Sequence, residues 1–260
     1  MHKKQNKIKD FVKNTSIKIG VPAIALINMF SPLKAQAQIA PEETKKSPIE
    51  LSGGASLMSQ YLYKGAAYND KPTVAFNSNL HFGGDRVFAD ISSTYAVDMI
   101  PQKDVHPTVI FSNAATLTAL LGEKTAASAG FYHTIVPPGR YGDITEANAA
   151  YLILNRGLGD VNLELAFEKG LKNIGGLLSS ATVSKPFTIG DSEIDAAISL
   201  YRADDYFGSN YTSIGAQVAK EIVSGRAGGM VLSAQAQKAL HADATGNSNA
   251  ISATLRAYLN

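Results

Sequence analysis

Between Lys71 and Asp98 the chain reads KPTVAFNSNLHFGGDRVFADISSTYAVD, in which apolar and polar residues alternate with hardly a break. Val74, Phe76, Leu80 and Phe82 share one parity, and Thr73, Asn77, Asn79 and His81 share the other. After Gly83-Gly84-Asp85 the alternation resumes through Val87, Ala89, Ile91, Tyr95 and Val97. A period of two puts successive side chains on opposite faces of a strand, and a short glycine turn joins two such strands as a hairpin. The unit recurs to the C-terminus, so twelve strands are expected, near 50–64, 71–83, 86–98, 107–121, 125–136, 144–155, 160–169, 176–187, 192–202, 211–222, 227–237 and 248–260. No window carries a competing 3.6-residue pattern, and no long helix is expected.

The connections alternate in length. GGD (83–85), GEK (122–124), RGLGD (156–160), TIGDS (188–192) and VSGRAG (223–228) are tight. MIPQKDVHP (99–107), PPGRYGD (137–143), ADDYFGSN (203–210) and KALHADATGN (238–247) are longer and more polar. Short turns at one end and longer loops at the other are the pattern of an up-and-down barrel, and an even strand number puts both chain ends on one side.

The apolar face must look into a protein core or into lipid. A charged outer face is expected of a soluble sandwich, yet the polar faces here carry small neutral groups such as Ser52, Ser56, Gln60, Ser112, Thr116, Ser213, Gln217 and Ser252. Charged residues are only 18% of the chain and sit mostly in turns. The apolar faces are rich in Ala and Gly, too thin to fill a soluble twelve-stranded barrel. Aromatic residues gather at strand ends: Tyr61, Tyr63, Tyr95, Phe131, Tyr201 and Tyr211 towards the long loops, and Phe82, Phe187 and Tyr258 towards the short turns. Two aromatic girdles are expected where a barrel meets the headgroup layers. Hydrocarbon offers no partner to free backbone groups, so the expected fold is all-β: a closed antiparallel transmembrane barrel over 49–260.

The N-terminus supports export. Seven lysines lie between Lys3 and Lys34, overlapping the apolar run IGVPAIALINMF (19–30) and leading to Ala35-Gln36-Ala37. That order reads as a signal peptide over 1–37, cut after Ala37. As a membrane anchor the run is too short and is interrupted by Pro22. Residues 38–48 are polar and unpatterned and are expected to form a flexible periplasmic tail. The remaining chain holds 17 basic and 21 acidic residues, net −4, with its Lys and Arg scattered, so no nucleic-acid partner is expected. There is no cysteine, which excludes disulfides and Cys-based metal sites.

The first hairpin, LMSQYLYKGAAYNDKPTVAF, resembles the opening signature of the TorF-like porins, in which Ser-x-Tyr-x-x-Arg-Gly ends the first strand and Lys-Pro starts the second. Ser59, Tyr61, Lys64, Gly65, Lys71 and Pro72 occupy those positions, with Lys64 where the pattern has arginine. A lysine cannot make arginine's two-bond fork. The chain also ends on Asn260 rather than the common Phe, with Tyr258 two residues earlier. The resemblance covers about two strands and implies a twelve-stranded outer-membrane channel.

A barrel hydrolase needs a serine with a histidine in reach. No His-x-Ser pair occurs at His81, His106, His133 or His241, and His133 shares the outward parity of Phe131 and Ile135. His241-Ala-Asp243 is too small a set to hold a metal. No catalytic residue, metal or cofactor is therefore expected. A channel for small hydrophilic solutes is favoured over a lipid-acting enzyme or a closed structural or adhesive barrel. The expected partners are outer-membrane lipids, those solutes and the barrel-assembly machinery of a Gram-negative cell. The inward parity is assigned Asp90, Asp98, Glu146, Glu164, Glu168 and Asp195 against Lys64 and Arg256, an acidic lumen that favours cations.

Overall fold

The computed structural model describes residues 49–60, 62–63, 66–67, 71–84, 86–99, 109–135, 146–172, 175–190, 192–206, 209–225, 228–242 and 250–259. The expected signal peptide with Ala35 and Ala37, and the tail over 38–48, lie outside the described residues. The strands are β1 (Ile49–Met58), β2 (Leu62–Tyr63), β3 (Ala66–Ala67), β4 (Thr73–Gly83), β5 (Val87–Asp98), β6 (Val109–Leu120) and β7 (Thr125–Ile135). They continue as β8 (Glu146–Leu158), β9 (Val161–Lys172), β10 (Leu177–Ile189), β11 (Ser192–Tyr206), β12 (Ser209–Gly225), β13 (Gly228–Ala242) and β14 (Ala250–Leu259).

Twelve of them close one antiparallel barrel in which every strand pairs with its sequence neighbour and β14 returns to β1. Closure leaves no free edge, the condition hydrocarbon imposes. Burial confirms which way each face points. Leu51, Phe76, Leu117, Ile198 and Ile251 are 70%, 52%, 56%, 59% and 75% exposed, whereas Ser52, Thr94, Ser112, Ser199 and Ser213 on the other parity are buried. A soluble protein has the opposite arrangement.

Tight turns form where glycine permits them. Gly159 and Gly190 take φ of 68° and 60°, a left-handed conformation that costs other residues strain. The wall is uneven in height: β1 and β14 have 10 residues, while β11, β12 and β13 have 15, 17 and 15. A bilayer needs only ~9–11 tilted residues, so the last three overshoot it.

Three expected segments are corrected. The first strand ends at Met58, not near 64, and Leu62–Tyr63 pairs with Ala66–Ala67 in a separate ribbon. At the point where β1 leaves the ladder, side chains complete the seam. Ser59 Oγ accepts from Ala253 N at 3.0 Å while Ser59 N donates to Ala253 O at 2.9 Å. Ser252 Oγ donates to Gln60 O at 2.7 Å, and Gln60 Nε2 donates to Ile251 O. The 203–210 loop is also mostly strand, because the ladder resumes at Tyr206↔Ser209 after an irregularity. There Asp205 takes φ 54°, and Asn210 Oδ1 accepts its N–H at 2.9 Å. The 238–247 loop likewise begins only after Ala242.

Candidate functional site: the barrel interior

Residues directly opposite each other on paired strands point to the same face, so the register assigns every charge to a side. Asp90 lies opposite His81, Asp98 opposite Thr73, Glu164 opposite Thr182, Glu168 opposite Leu178, and Asp195 opposite Ala219, all on the inner parity. Arg256 lies opposite Ser56 and Val231 on that parity too. Lys64 is outside the described residues.

Glu146 is a correction. It pairs with Ile135, which is exposed on the outer face, and its carboxylate meets Lys172 at 3.2 Å at the long-loop rim. Leu152 and Leu154 share its parity, so six or eight residues of strict alternation carry it outward. Three inner acids were missed: Glu50, opposite His81, Glu193, opposite Thr188, and Glu221, opposite Val231. Counting parity from Ser52, Asp195 or Gln217 finds all three.

The aromatic residues divide in the same way. Tyr95, Phe131 and Phe187 are exposed on the outer face, and Phe82 pairs with Ile49 on that parity. Tyr201, Tyr211 and Tyr258 are buried on the inner face, and so do not meet lipid. Position near a strand end suggested a girdle, but Tyr201 follows Ser199 and Ala197 in parity. Tyr61 is outside the described residues and nothing is described of the Tyr63 side chain.

Together with Tyr132, Tyr151 and Tyr206, these rings line the interior. Tyr151, Tyr201 and Tyr258 each lie against a glycine on a neighbouring strand: Gly130, Gly215 and Gly229. An absent Cβ lets the ring lie flat on the wall. Tyr151 reaches across Gly130 to Thr116, and Tyr258 reaches past Gly229 to Glu221. Near the long-loop end, Tyr132 donates its one hydroxyl proton to Glu168, so Tyr206, 2.5 Å away, donates to Tyr132. Leu178, Tyr201 and Tyr211 pack into that cluster.

Opposite it, Asp90 Oδ1 takes hydrogen bonds from Asn79 Nδ2 and His81 Nδ1, each at 3.0 Å. The His81 ring also contacts Phe88, with centroids 5.0 Å apart. Thr73 Oγ1 donates to Asp98 at 3.3 Å. His133 lies outside, its Nδ1 2.7 Å from Asn148 Oδ1. The partners of the His81 and His133 rings are Asp90 and Asn148 rather than a serine hydroxyl, and no group of three or more His, Asp or Glu gathers among the described residues.

Of the signature residues, Ser59 holds the closing seam. Lys71 O, 3.2 Å away, shares the Thr73 Oγ1 proton with Asp98, and Pro72 O accepts from Met99 N at 2.9 Å, fastening the start of β4. Tyr61, Lys64 and Gly65 lie outside the described residues.

An apolar outer surface around a polar, closed, twelve-stranded wall is the architecture of outer-membrane β-barrels. Solved structures with this fold include the KdgM porin, at 9% identity and TM-score 0.52, covering 80% of this chain and 98% of that one. The COG4313 outer membrane channel from Pseudomonas putida F1 matches at 12% identity and TM-score 0.52, covering 85% and 99%. Such identities establish the fold alone. No family model and no curated relative matches the chain.

Proposed function

We propose that this protein is an outer-membrane channel that passes small hydrophilic solutes with a mild preference for cations. The observation that carries the reading is the inner wall itself. Eight carboxylates (Glu50, Asp90, Asp98, Glu164, Glu168, Glu193, Asp195 and Glu221) share the inner parity with Arg256 among the described residues. Acidic groups in a water-filled pore favour cations, and low-dielectric walls focus their field. Tyr151, Tyr201 and Tyr258 lie against wall glycines, whereas Tyr132 of β7 and Tyr206 of β11 meet across the interior near the long-loop end.

The signal-like leader, the seam residue Ser59 and the Lys71-Pro72 start of β4 support membership of the TorF-like porins, export through the inner membrane and assembly into the outer membrane of a Gram-negative cell. Lipids would cover the apolar face, and the barrel-assembly machinery would insert it. The test is reversal potential in a tenfold KCl gradient across a planar bilayer holding refolded protein. Cation preference is expected, reduced by Glu164→Gln with Asp90→Asn and increased by Arg256→Ala. Anion preference in the unmodified protein, or no conductance, overturns the proposal.

A further inference from the structure

The inner wall contains one carboxylate unlike the rest. Glu164 is 0% exposed, and both its oxygens lack a hydrogen-bond partner among the described residues. Asp90 is held by Asn79 and His81, and Glu168 by Tyr132. Burying an ionised carboxylate alone is very costly, and an unsatisfied buried polar atom points to a water or ion that completes it.

Its neighbours are oxygen donors. Asn155 faces Glu164 from β8 and Thr182 faces it from β10. Directly opposed side chains on one face have Cβ atoms ~4.5–5.5 Å apart, close enough for three oxygen groups to converge on one ion. Asn155 is 7% exposed and its Oδ1 is likewise unpartnered. Thr182 is 0% exposed, and its Oγ1 lies 2.8 Å from Ser199 Oγ; when Thr182 donates to Ser199, its own lone pairs are free to ligate. No nitrogen or sulfur ligand stands on these three positions. A carboxylate with an amide and a hydroxyl oxygen is a donor set for hard cations, not for zinc or copper.

We infer that Glu164, Asn155 and Thr182 form an intraluminal binding station for a hard cation of the alkali or alkaline-earth class. The proposal rests on the channel reading and deepens it by locating a cation that the wall itself holds just beneath the lumen surface, where Glu164 and Thr182 are closed to solvent. With one carboxylate the station binds weakly enough to release its ion, as conduction requires. Gln237 lies on the same lateral row, reached through Ser199 and Gly215, and both its amide atoms are buried and unpartnered. Unmet polar groups thus recur at this level of the wall.

The test is binding of terbium(III), a luminescent probe of hard-cation sites, to the refolded full barrel. The chain has 11 tyrosines and no tryptophan, so tyrosine is the sensitiser, and Tyr201 lies two residues along β11 from Ser199. Saturable luminescence displaced by calcium is expected in the unmodified protein. Glu164→Gln should weaken binding at least about tenfold and Asn155→Ala about threefold, since affinity follows ligand charge and number. Glu168→Gln, about 13 Å along the same strand, should leave it within about twofold. Folding of each variant is checked by its heat-dependent gel mobility. If Glu164→Gln does not fold, Asn155→Ala and Thr182→Val decide the matter.

Absence of a saturable site, or full affinity retained in Glu164→Gln, overturns the station, as does full affinity in both substitute variants. A buried proton on Glu164 gives the first of these results. A protein that binds terbium but passes no current would refute the channel and leave the station standing. One that conducts without a saturable site would do the reverse.

Discussion

Replacing Gly130 by alanine should be among the most damaging one-carbon changes in the barrel. A Cβ there would collide with the Tyr151 ring and stand 2.5 Å from the Ala115 carbonyl oxygen. The ring would have to leave the wall, losing the Tyr151–Thr116 hydrogen bond. Overpacking of this kind costs ~1–3 kcal/mol, and the hydrogen bond adds ~0.5–1.5 kcal/mol. The reduced freedom of the unfolded alanine chain offsets only ~0.4–1 kcal/mol. A net loss of about 2 kcal/mol, within a range of roughly 0.5–4 kcal/mol, is expected.

Gly215→Ala is the internal control, because its Cβ would meet Tyr201 Cε2 at 3.4 Å and Gln237 Cγ at 3.7 Å, ordinary contact distances. Its cost should lie within about 0.5 kcal/mol. The assay is equilibrium urea unfolding of the barrel in lipid vesicles, followed by circular dichroism and gel mobility. Adding Tyr151→Ala should lower the cost of Gly130→Ala by ~1 kcal/mol or more, the remainder coming from the Ala115 carbonyl. Equal stability of the two glycine variants would refute the flat-ring account.

Other expectations follow from the same structure and sequence. Mature protein should begin at Gln38, read by N-terminal sequencing of the outer-membrane fraction; an uncut chain in the inner membrane would remove the basis for export. In the cysteine-free chain, cysteines replacing Asp104, Arg140, Asp204 or Asp243 should label in intact cells and one replacing Gly84 should not, with the reverse pattern inverting the topology. Ser59→Ala removes the acceptor for Ala253 N–H and should cost ~1 kcal/mol, measured as a lower urea midpoint at unchanged slope.

Much of the architecture is written residue by residue. A period of two needs no tertiary information, so the strands from Thr73 to Leu259 fall within a few residues of their expected places, and the closed barrel follows from the thin apolar face. Parity also determines which side a residue faces: counted back from Leu152 and Leu154 it carries Glu146 outward, and it turns Tyr201, Tyr211 and Tyr258 inward although they stand near strand ends. What only the folded barrel decides is which residues share a level. Each hairpin adds its own register, and closure of β14 on β1 adds a stagger, so lateral neighbours several strands apart are set by a sum that no single segment contains. Tyr132 meets Tyr206 across 74 residues, Tyr151 finds Gly130 and Thr116, and Ser59 meets Ala253 across 194. The same sum leaves Glu164 beside Asn155 and Thr182, while Glu168, four residues along the same strand face, reaches a tyrosine hydroxyl.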